Sequence, residues 1–425
     1  MPLFVGIDLG TSGCRAIAID EDRSVVGEAY ADLPSPQWDG AACQQSPLLW
    51  WNAVYSVLST ISKQINTATV HSLCVDATSS TLLIIDAEGN PLAPALMYND
   101  ARAQAQANFI KNVAPATSAA QGASATLAKL IWFKDQGILN ASSKPCHQTD
   151  WIVGQLCGNY GVSDINNCLK LGYNPINRQW PQWLENVGID REILPRVVNP
   201  GTMVGTLKPQ LSESLYLPSS TAIVAGTTDS TAAVIASGAQ HTGEAVTCLG
   251  STLVLKVLSD IPIFAPEYGV YSQPLADKWL AGGASNSGGA VLLKYFTKTR
   301  LQDMTPLLHP DKSTGLNYYP LSQAGERFPI NNPTLEPKVS PRPESEVEFF
   351  QGLLEGIAII EKRGYDLLHS LGAPYPRTIY TNGGGAVNES WRCIRENILG
   401  TPVVKAQHLQ AAYGAALIAL RSYHH

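Results

Sequence analysis

The sequence has few charged residues and no excess of positive charge. Asp, Glu, Lys and Arg make up 15% of the 425 residues, well below the usual share of about a quarter. Lys and Arg number 29 and Asp and Glu number 35, which gives a net charge of −6. Nucleic-acid-binding domains usually carry a basic stripe, so this balance argues against a nucleic-acid partner. Hydrophobic residues make up 45%, which excludes a chain disordered by high charge and low hydrophobicity.

Paired cysteines and long apolar runs are also absent. None of the 8 cysteines forms a Cys-x-x-Cys pair, so neither a dense disulfide scaffold nor a paired-cysteine zinc site is expected. No run reaches the roughly 18 to 20 apolar residues needed to span a bilayer, and residues 1–5 lack the basic region of a secretory signal. We therefore expect a soluble cytoplasmic protein with reduced thiols and no membrane partner, either a monomer or a homodimer.

The spacing of apolar residues predicts an α/β chain. Short apolar runs separated by turn residues predict three strands between residues 3 and 31. Helical spacing predicts one helix that begins at Pro47 and another that ends before Gly372. At about 150 residues per domain the length predicts two or three domains, and residues 199–220 are the best candidate for the connection between them.

A cluster of Asp, Gly and hydroxyl residues follows the first predicted strand. Asp8 would be ionised at neutral pH, because a free Asp has a pKa of about 3.9, and its oxygens suit Mg²⁺. Gly10 and Gly13 allow backbone N–H groups to turn towards a phosphate, and Thr11 and Ser12 add hydroxyl donors. A plain hairpin turn uses the same residue types, so these residues alone leave both interpretations open.

A similar turn occurs in the second half of the chain. Leu249–Thr252 places Leu-Gly-Ser-Thr between two apolar runs, as Leu9–Ser12 does with Leu-Gly-Thr-Ser. A repeat separated by more than half the chain does not indicate a solenoid. It indicates two related domains, each of which offers a hydroxyl-bearing hairpin to a shared cleft, although a chance likeness between two hairpins is the alternative.

Six segments contain the candidate binding and catalytic residues, and together they span nearly the whole chain. In chain order they are Asp8–Arg15, Gly226–Asp229, Leu249–Thr252, Gly282–Gly289, Leu354–Ala358 and Thr381–Trp391. Together they resemble the FGGY family of carbohydrate kinases, which belongs to one nucleotide-binding superfamily with hexokinase, actin and heat-shock chaperone ATPases. The resemblance implies an α/β fold with two actin-like ATPase (ribonuclease H-like) domains flanking a central cleft. We expect these domains at residues 1–225 and 226–425, with the last helix, residues 411–420, packing back on the first.

The resemblance also implies which residues bind ATP and act in catalysis. Asp229 matches the general base that takes the proton from a sugar hydroxyl, Asp8 matches the Mg²⁺ carboxylate, and both are expected to contact the metal. The implied ATP-binding residues are Thr11, Ser12, Gly13, Arg15, Gly250, Ser251, Thr252, Gly288, Gly384, Gly385 and Asn388. No Gly-Lys-Ser/Thr occurs in the chain, which separates it from the P-loop enzymes.

The implied sugar site is drawn mainly from the first half of the chain. Its residues are Asp8, Ser12, Ser79, Ser80, Asp100, Arg102 and Asp229. The serines belong to Asp76–Ser80, which follows a predicted strand and matches a family substrate loop. Asp100 and Arg102 match an aromatic-x-Asp-x-Arg stretch of the family, and a structural salt bridge between them is the alternative.

The implied activity is transfer of the ATP γ-phosphate to a hydroxyl of a ketopentose, with ATP and Mg²⁺ as cofactors. Because Asp-Ala-Thr-Ser near the sugar loop resembles the ribulose and xylulose kinase-like branch, D-ribulose is the first expected acceptor. Xylulose kinase or another FGGY sugar kinase is the alternative. A non-kinase actin-like ATPase switch is the alternative outside the kinases, although no separate substrate-binding domain follows the nucleotide core.

Overall fold

The computed structural model describes residues 1–423, which form two units of strands and helices. Unit 1 comprises Met1–Ala236 and the C-terminal segment from Gln410, and unit 2 comprises Ser237–Leu409. The strands are β1 (Leu3–Leu9), β2 (Gly13–Ile19), β3 (Val25–Asp32), β4 (Gln37–Asp39), β5 (Ala42–Gln45), β6 (Val70–Ala77), β7 (Leu82–Ile85), β8 (Ala95–Leu96), β9 (Lys144–His147), β10 (Val162–Asp164), β11 (Arg196–Val198), β12 (Met203–Thr206), β13 (Ala222–Thr228), β14 (Glu244–Leu249), β15 (Leu253–Ser259), β16 (Tyr271–Leu275), β17 (Lys278–Ser285), β18 (Thr378–Asn382) and β19 (Val403–Lys405). The helices are α1 (Pro47–Ser62), α2 (Gln104–Val113), α3 (Thr126–Asp135), α4 (Gln148–Cys157), α5 (Ile165–Cys168), α6 (Trp183–Asn186), α7 (Pro209–Leu215), α8 (Asp229–Ser237), α9 (Gly289–Tyr295), α10 (Lys298–Met304), α11 (Glu346–Ser370), α12 (Glu389–Leu399) and α13 (Ala411–Arg421).

The main sheet of unit 1 has the strand order β12-β13-β6-β1-β2-β3. β1, β6 and β13 run parallel to one another, while β2 returns antiparallel to β1 as a hairpin. α1 buries one apolar stripe, as its sequence spacing predicts. The buried members of that stripe are Trp50, Ala53, Val54, Val57, Leu58 and Ile61. They join the inward side chains of β1 and β6 in one hydrophobic core.

A second sheet in unit 1 has the order β4-β5-β8-β7-β9. Its strands are short, and its apolar side chains Leu82, Ile84 and Leu96 pack with buried residues of α2 and α3. The sequence pattern does not predict this sheet, because its strands lie far apart in the chain and each is only two to four residues long.

The sheet of unit 2 has the order β16-β17-β15-β14-β18-β19. β14 and β15 form an antiparallel hairpin, and β18 lies parallel to β14. α11 and α12 contribute to its hydrophobic core. Since β1 and β2 have the same arrangement beside the parallel β6, the two units share the hairpin predicted from the two Leu-Gly-hydroxyl turns.

The division between the units differs from the predicted boundary at residue 225. The first unit continues to Ala236, because α8 follows β13 directly and stays against α13. This contact is close: a Cβ on Gly414 would lie 1.9 Å from the Ala232 carbonyl oxygen. α13 belongs to unit 1, where its buried Ala415 and Ala416 leave no room for a side chain on Gly6 of β1.

The predicted connection at residues 199–220 is wrong. This segment contains β12, which pairs antiparallel with β13 at the edge of the main sheet, and α7. The actual change of unit occurs between Ala236 and Ser237. None of the eight cysteines, all of which lie within residues 1–423, forms a disulfide. Across Met1–Tyr423 every helix is too short or too polar to span a membrane.

Candidate functional site

Three carboxylates meet at one edge of the main sheet of unit 1. Asp8 of β1 and Asp76 of β6 are register partners, and Thr227 of β13 is the register partner of Asp76 on its other side. Because the three strands are parallel, their carboxyl ends lie at the same edge, about 4.8 Å from strand to strand. Asp229 follows β13 directly as the first residue of α8. Asp8 and Asp229, both predicted from the sequence, thus lie at the ends of the two strands that flank β6.

Close backbone packing fixes the strand that leads to Asp229. A Cβ on Gly226 would lie only 1.6 Å from the Val75 carbonyl oxygen, so only glycine fits there without a shift of the backbone. The β6–β13 pairing is irregular between Val224 and Thr227. Gly226 therefore lets β13 approach β6 just before the chain reaches Asp229.

Asp76 is the most unusual group of this edge. Its side chain is fully buried, and neither of its carboxylate oxygens has a hydrogen-bond donor. Burial raises the pKa of Asp76 well above its usual range, and the charge of Asp8 raises it further. Burial also raises the pKa of Asp8, an effect that Asp76 and Arg15 partly oppose. The sequence analysis places Asp76 in a substrate loop and does not predict that it stands between the two other carboxylates.

The donor set of this edge suits Mg²⁺ only in part. Within residues 1–423 no group of three or more His, Cys, Asp and Glu side chains could hold a metal ion. Mg²⁺ usually keeps several waters and takes one or two carboxylates plus substrate phosphates. Asp8 could supply one such carboxylate, and the buried Asp76 oxygens without a hydrogen-bond partner lie on the neighbouring strand.

The first predicted phosphate turn is a tight and exposed hairpin. The Gly10 N–H donates to the Gly13 carbonyl oxygen at 3.0 Å, and the Leu33 N–H donates to the Ser12 carbonyl oxygen at 2.9 Å. Thr11 is partly exposed and Ser12 is exposed, so both hydroxyl groups can reach a ligand.

Arg15 lies beside this turn but is already paired. Its guanidinium forms an ion pair with Glu28 and lies 5.2 Å from the centre of the Tyr30 ring. Arg15 is also the register partner of Asp8 on β2. Its position therefore supports an electrostatic effect on Asp8 more directly than a contact with ATP.

The predicted sugar-binding residues lie in two different environments. Ser79 is partly exposed, whereas Ser80 is buried, has a positive φ of 69°, and has an Oγ without a hydrogen-bond partner. Asp100 is fully buried and accepts from the Cys43 N–H at 2.6 Å. Arg102 pairs with Asp100 at 2.8 Å. The structure thus contains the salt bridge that the sequence analysis gave as the alternative role of Asp100 and Arg102.

Unit 2 contains a pocket of about 580 Å³ at the ends of β14 and β18. Five predicted ATP-binding residues line it, namely Gly250, Ser251, Gly384, Gly385 and Asn388. Apolar side chains form much of the remaining wall, including Phe350 and Trp391. A concave and mostly apolar pocket with a few polar groups is typical of a small-molecule site, and its volume suits a nucleoside.

The other two predicted ATP-binding residues of this region, Thr252 and Gly288, do not line the pocket but hold the backbone turn beside it. Thr252 accepts from the Gly250 N–H at 3.2 Å and closes the turn. Gly288 has a positive φ of 148°, and a Cβ there would lie 2.7 Å from the Ser251 carbonyl oxygen. The Gly289 N–H then donates to the Gly250 carbonyl oxygen at 2.8 Å. This packing holds the second phosphate turn against the start of α9.

Asn388 has a structural role in addition to its place in the pocket wall. Its Oδ1 accepts from the Trp391 N–H at 2.9 Å, which caps α12, and its Nδ2 donates to the Thr305 hydroxyl at 3.2 Å. Lys298 and Gln302 of α10 also line the pocket. The sequence analysis does not identify these two residues, because α10 carries no motif.

Comparison with known proteins identifies the family. The N-terminal domain of the FGGY family of carbohydrate kinases matches residues 3–236, and its C-terminal domain matches residues 245–423. The chain belongs to the FGGY family of carbohydrate kinases. The first match ends at residue 236, where the structure passes from unit 1 to unit 2, so the predicted α/β fold with two domains is confirmed.

Individual FGGY kinases are similar to this chain over most of its length. The xylulose kinase of Escherichia coli (strain K12) is 24% identical over 423 residues, which cover 94% of this chain and 85% of that protein. The ligand-bound xylulose kinase of Lactobacillus acidophilus is 20% identical with a TM-score of 0.89, covering 100% of this chain and 90% of that chain. The ADP complex of Plasmodium falciparum glycerol kinase is 16% identical with a TM-score of 0.86, covering 100% and 90%.

A buried lysine in this FGGY kinase joins the two predicted sugar segments. Lys129 of α3 is fully buried, and its Nζ donates to the Ser80 carbonyl oxygen at 2.8 Å and to the Met97 carbonyl oxygen at 2.6 Å. Burial lowers the pKa of Lys129 to about 7, although Asp100 opposes the shift. No sequence motif marks Lys129, because the helical pattern alone does not distinguish a buried lysine from an exposed one.

Lys129→Met is expected to raise the KM for the sugar by about tenfold, because the two hydrogen bonds that its buried Nζ donates are lost, and to leave the KM for ATP unchanged. Steady-state kinetics with each substrate varied in turn measures this. Lys134→Met is the matched control, because Lys134 lies on the same helix with an exposed side chain. Equal sugar KM values in the Lys129→Met variant and the wild type would disprove the anchoring role.

Proposed function

We propose that this FGGY kinase transfers the γ-phosphate of ATP to a hydroxyl of a ketopentose. The observation that carries the proposal is the row of Asp8, Asp76 and Thr227 on adjacent parallel strands, with Asp229 directly after the last of them. A separate pocket of nucleoside size, lined by Gly384 and Gly385, supports ATP as the donor. The ADP bound by the similar glycerol kinase agrees with that choice.

Asp229 is proposed as the general base. The Ser230 N–H donates to Asp229 Oδ1 at 2.6 Å, and the N-terminus of α8 favours a negative charge there. This carboxylate would accept the proton of the attacking sugar hydroxyl. Asp76 is a poorer candidate, since burial favours its protonated form and leaves its oxygens out of reach of solvent.

Asp8 and Asp229 are proposed as the residues that would hold Mg²⁺ together with the phosphates of ATP. When bound, Mg²⁺ would neutralise charge on the transferring phosphoryl group. The exposed hairpin of Thr11, Ser12 and Gly13 would bind phosphate oxygens through hydroxyl and backbone donors. This arrangement requires few cationic side chains, which agrees with the low content of charged residues.

The acceptor is proposed as a ketopentose, with D-xylulose tested first. What supports D-xylulose is the similarity to proteins named xylulose kinase. D-Ribulose, the first expectation from the sequence, differs from D-xylulose only in configuration at one carbon and is the second candidate. The Asp-Ala-Thr-Ser segment that begins at Asp76 resembles the branch that contains both ribulose and xylulose kinases, so it supports a ketopentose without separating the two sugars.

A coupled assay of ADP release from ATP and Mg²⁺ tests the substrate class. The acceptors are D-xylulose, D-ribulose, xylitol, D-gluconate and glycerol. A ketopentose is expected to give the highest kcat/KM, by about tenfold or more, because a site that bonds a substrate oxygen rejects analogues without it. The ratio of the two ketopentoses then decides between D-xylulose and D-ribulose. A higher kcat/KM for glycerol or D-gluconate would contradict the proposed acceptor class.

A further inference from the structure

A fully buried ion pair lies in the core of unit 2. Arg395 of α12 and Glu361 of α11 form two parallel hydrogen bonds, each 2.7 Å long, from Nε to Oε2 and from Nη2 to Oε1. Both side chains are at most 1% exposed. Such a pair has a fixed planar geometry, because the guanidinium and the carboxylate meet through two bonds at once.

This ion pair is bonded to the two strands that lead to the nucleotide pocket. Thr247 of β14 donates its hydroxyl to Glu361 Oε1 at 2.6 Å and lies 2.8 Å from the Tyr365 hydroxyl. Arg395 Nη1 donates to the Thr381 hydroxyl of β18 at 2.8 Å. Thr247 and Thr381 are register partners on these parallel strands. The network therefore links α11 and α12 to one pair of facing residues in β14 and β18.

The path from this row to the pocket is short and tightly packed. Three residues beyond Thr247 the chain reaches Gly250, and three beyond Thr381 it reaches Gly384, both of which line the pocket. Gly383 has a positive φ of 81°, and a Cβ there would lie 2.8 Å from the Leu249 carbonyl oxygen. A shift of β14 or β18 would therefore displace both the turn at Gly250 and the turn at Gly384.

We propose that Glu361 and Arg395 are positioning residues for the nucleotide. Their ion pair fixes the spacing of β14 and β18 and so aligns the turns at Gly250 and Gly384 for one ligand. A buried ion pair stabilises a fold no better than well-packed apolar residues do, so stability alone does not account for it. Apolar residues cannot form directional hydrogen bonds from α11 and α12 to both β14 and β18. This inference rests on the proposed function, because it takes the pocket to be the ATP site.

The double variant Glu361→Met/Arg395→Met tests the proposal. Removal of both charges leaves no unpaired buried ion, so the variant is expected to fold. We expect its Kd for ATP, measured by calorimetry, to rise about tenfold, because small displacements of positioning groups have effects of this size. The Kd for D-xylulose without nucleotide is expected to stay unchanged, since the proposed sugar residues lie in unit 1.

The matched control is Arg392→Met/Glu396→Met. Arg392 and Glu396 form a 2.7 Å ion pair on the same helix, but their side chains are 22% and 40% exposed. We expect this control to change the Kd for ATP by less than about twofold, as exposed pairs contribute little. A loss of ATP affinity in the control equal to that in the buried double variant would overturn the proposal.

A second variant covers the case in which the double variant does not fold. Thr381→Val keeps the ion pair and removes its bond to β18, so a smaller rise, about threefold, is expected in the Kd for ATP. Wild-type affinity for ATP in a folded double variant, or in Thr381→Val, would overturn the positioning role. Failure of the wild-type protein to bind ATP would instead refute the proposed function and this inference with it.

Discussion

Asp229→Asn is expected to lower kcat for ketopentose phosphorylation by about 10²- to 10⁴-fold. The amide has nearly the same shape as the carboxylate but cannot accept the proton of the sugar hydroxyl. The Kd for ATP measured without Mg²⁺ is expected to stay within about twofold of the wild-type value, because the pocket assigned to the nucleoside belongs to unit 2 and Asp229 belongs to unit 1.

Kinetics and calorimetry on the same preparation measure both parts of this prediction. Asp22→Asn is a matched control in unit 1, since it makes the same chemical change at an exposed turn residue, and it should retain wild-type kcat. If Asp229→Asn keeps full kcat, Asp229 is not the general base. If the variant also loses binding of ATP measured without Mg²⁺, its effect lies in nucleotide binding and not in proton transfer.

Gly226→Ala is expected to destabilise unit 1 by about 3 kcal/mol. The added Cβ would lie 1.6 Å from the Val75 carbonyl oxygen and 2.8 Å from its carbonyl carbon, and its nearest contact outside Val75 would be Thr149 Cγ2 at 3.0 Å. The clash is with backbone, so no side-chain rotation relieves it, and β13 must move away from β6. Such a movement displaces Asp229, and kcat is expected to fall together with stability.

Thermal unfolding of the variant, followed by its lowest transition, measures this loss. A decrease of about 6 °C or more is expected for a unit of this size. Gly161→Ala is the control, because Gly161 is in the same unit and the nearest atom to its added Cβ is Asn159 Oδ1 at 3.9 Å. An unchanged transition in Gly226→Ala would show that β13 can separate from β6 without cost.

The sequence predicts the parts of this kinase that are local in the chain. The hairpin around Gly10 and the turn at Gly384 each consist of adjacent residues whose types match their backbone geometry. α1 is also predicted closely, because its apolar residues repeat at helical spacing and Pro47 occupies the first turn. In these cases, local residue types and tertiary structure agree.

The parts that the sequence does not predict depend on pairing between distant residues. The place of Asp76 between Asp8 and Thr227 follows from strand register, which no local pattern encodes. The partnership of Glu361 with Arg395 requires α11 and α12 to be packed in the same core. For a similar reason the boundary at residue 225 is too early, because α8 continues to Ala236 within unit 1.

Direct detection of the phosphorylated sugar tests the central claim, that this chain transfers phosphate from ATP to a ketopentose. Purified protein is incubated with ATP, Mg²⁺ and D-xylulose or D-ribulose, and ³¹P spectroscopy follows both products. With at least one of the two sugars, we expect one equivalent of sugar monophosphate for each ADP formed. We expect Asp229→Asn to lose this product. Formation of ADP and inorganic phosphate without any sugar phosphate would contradict the central claim and would support an ATPase switch.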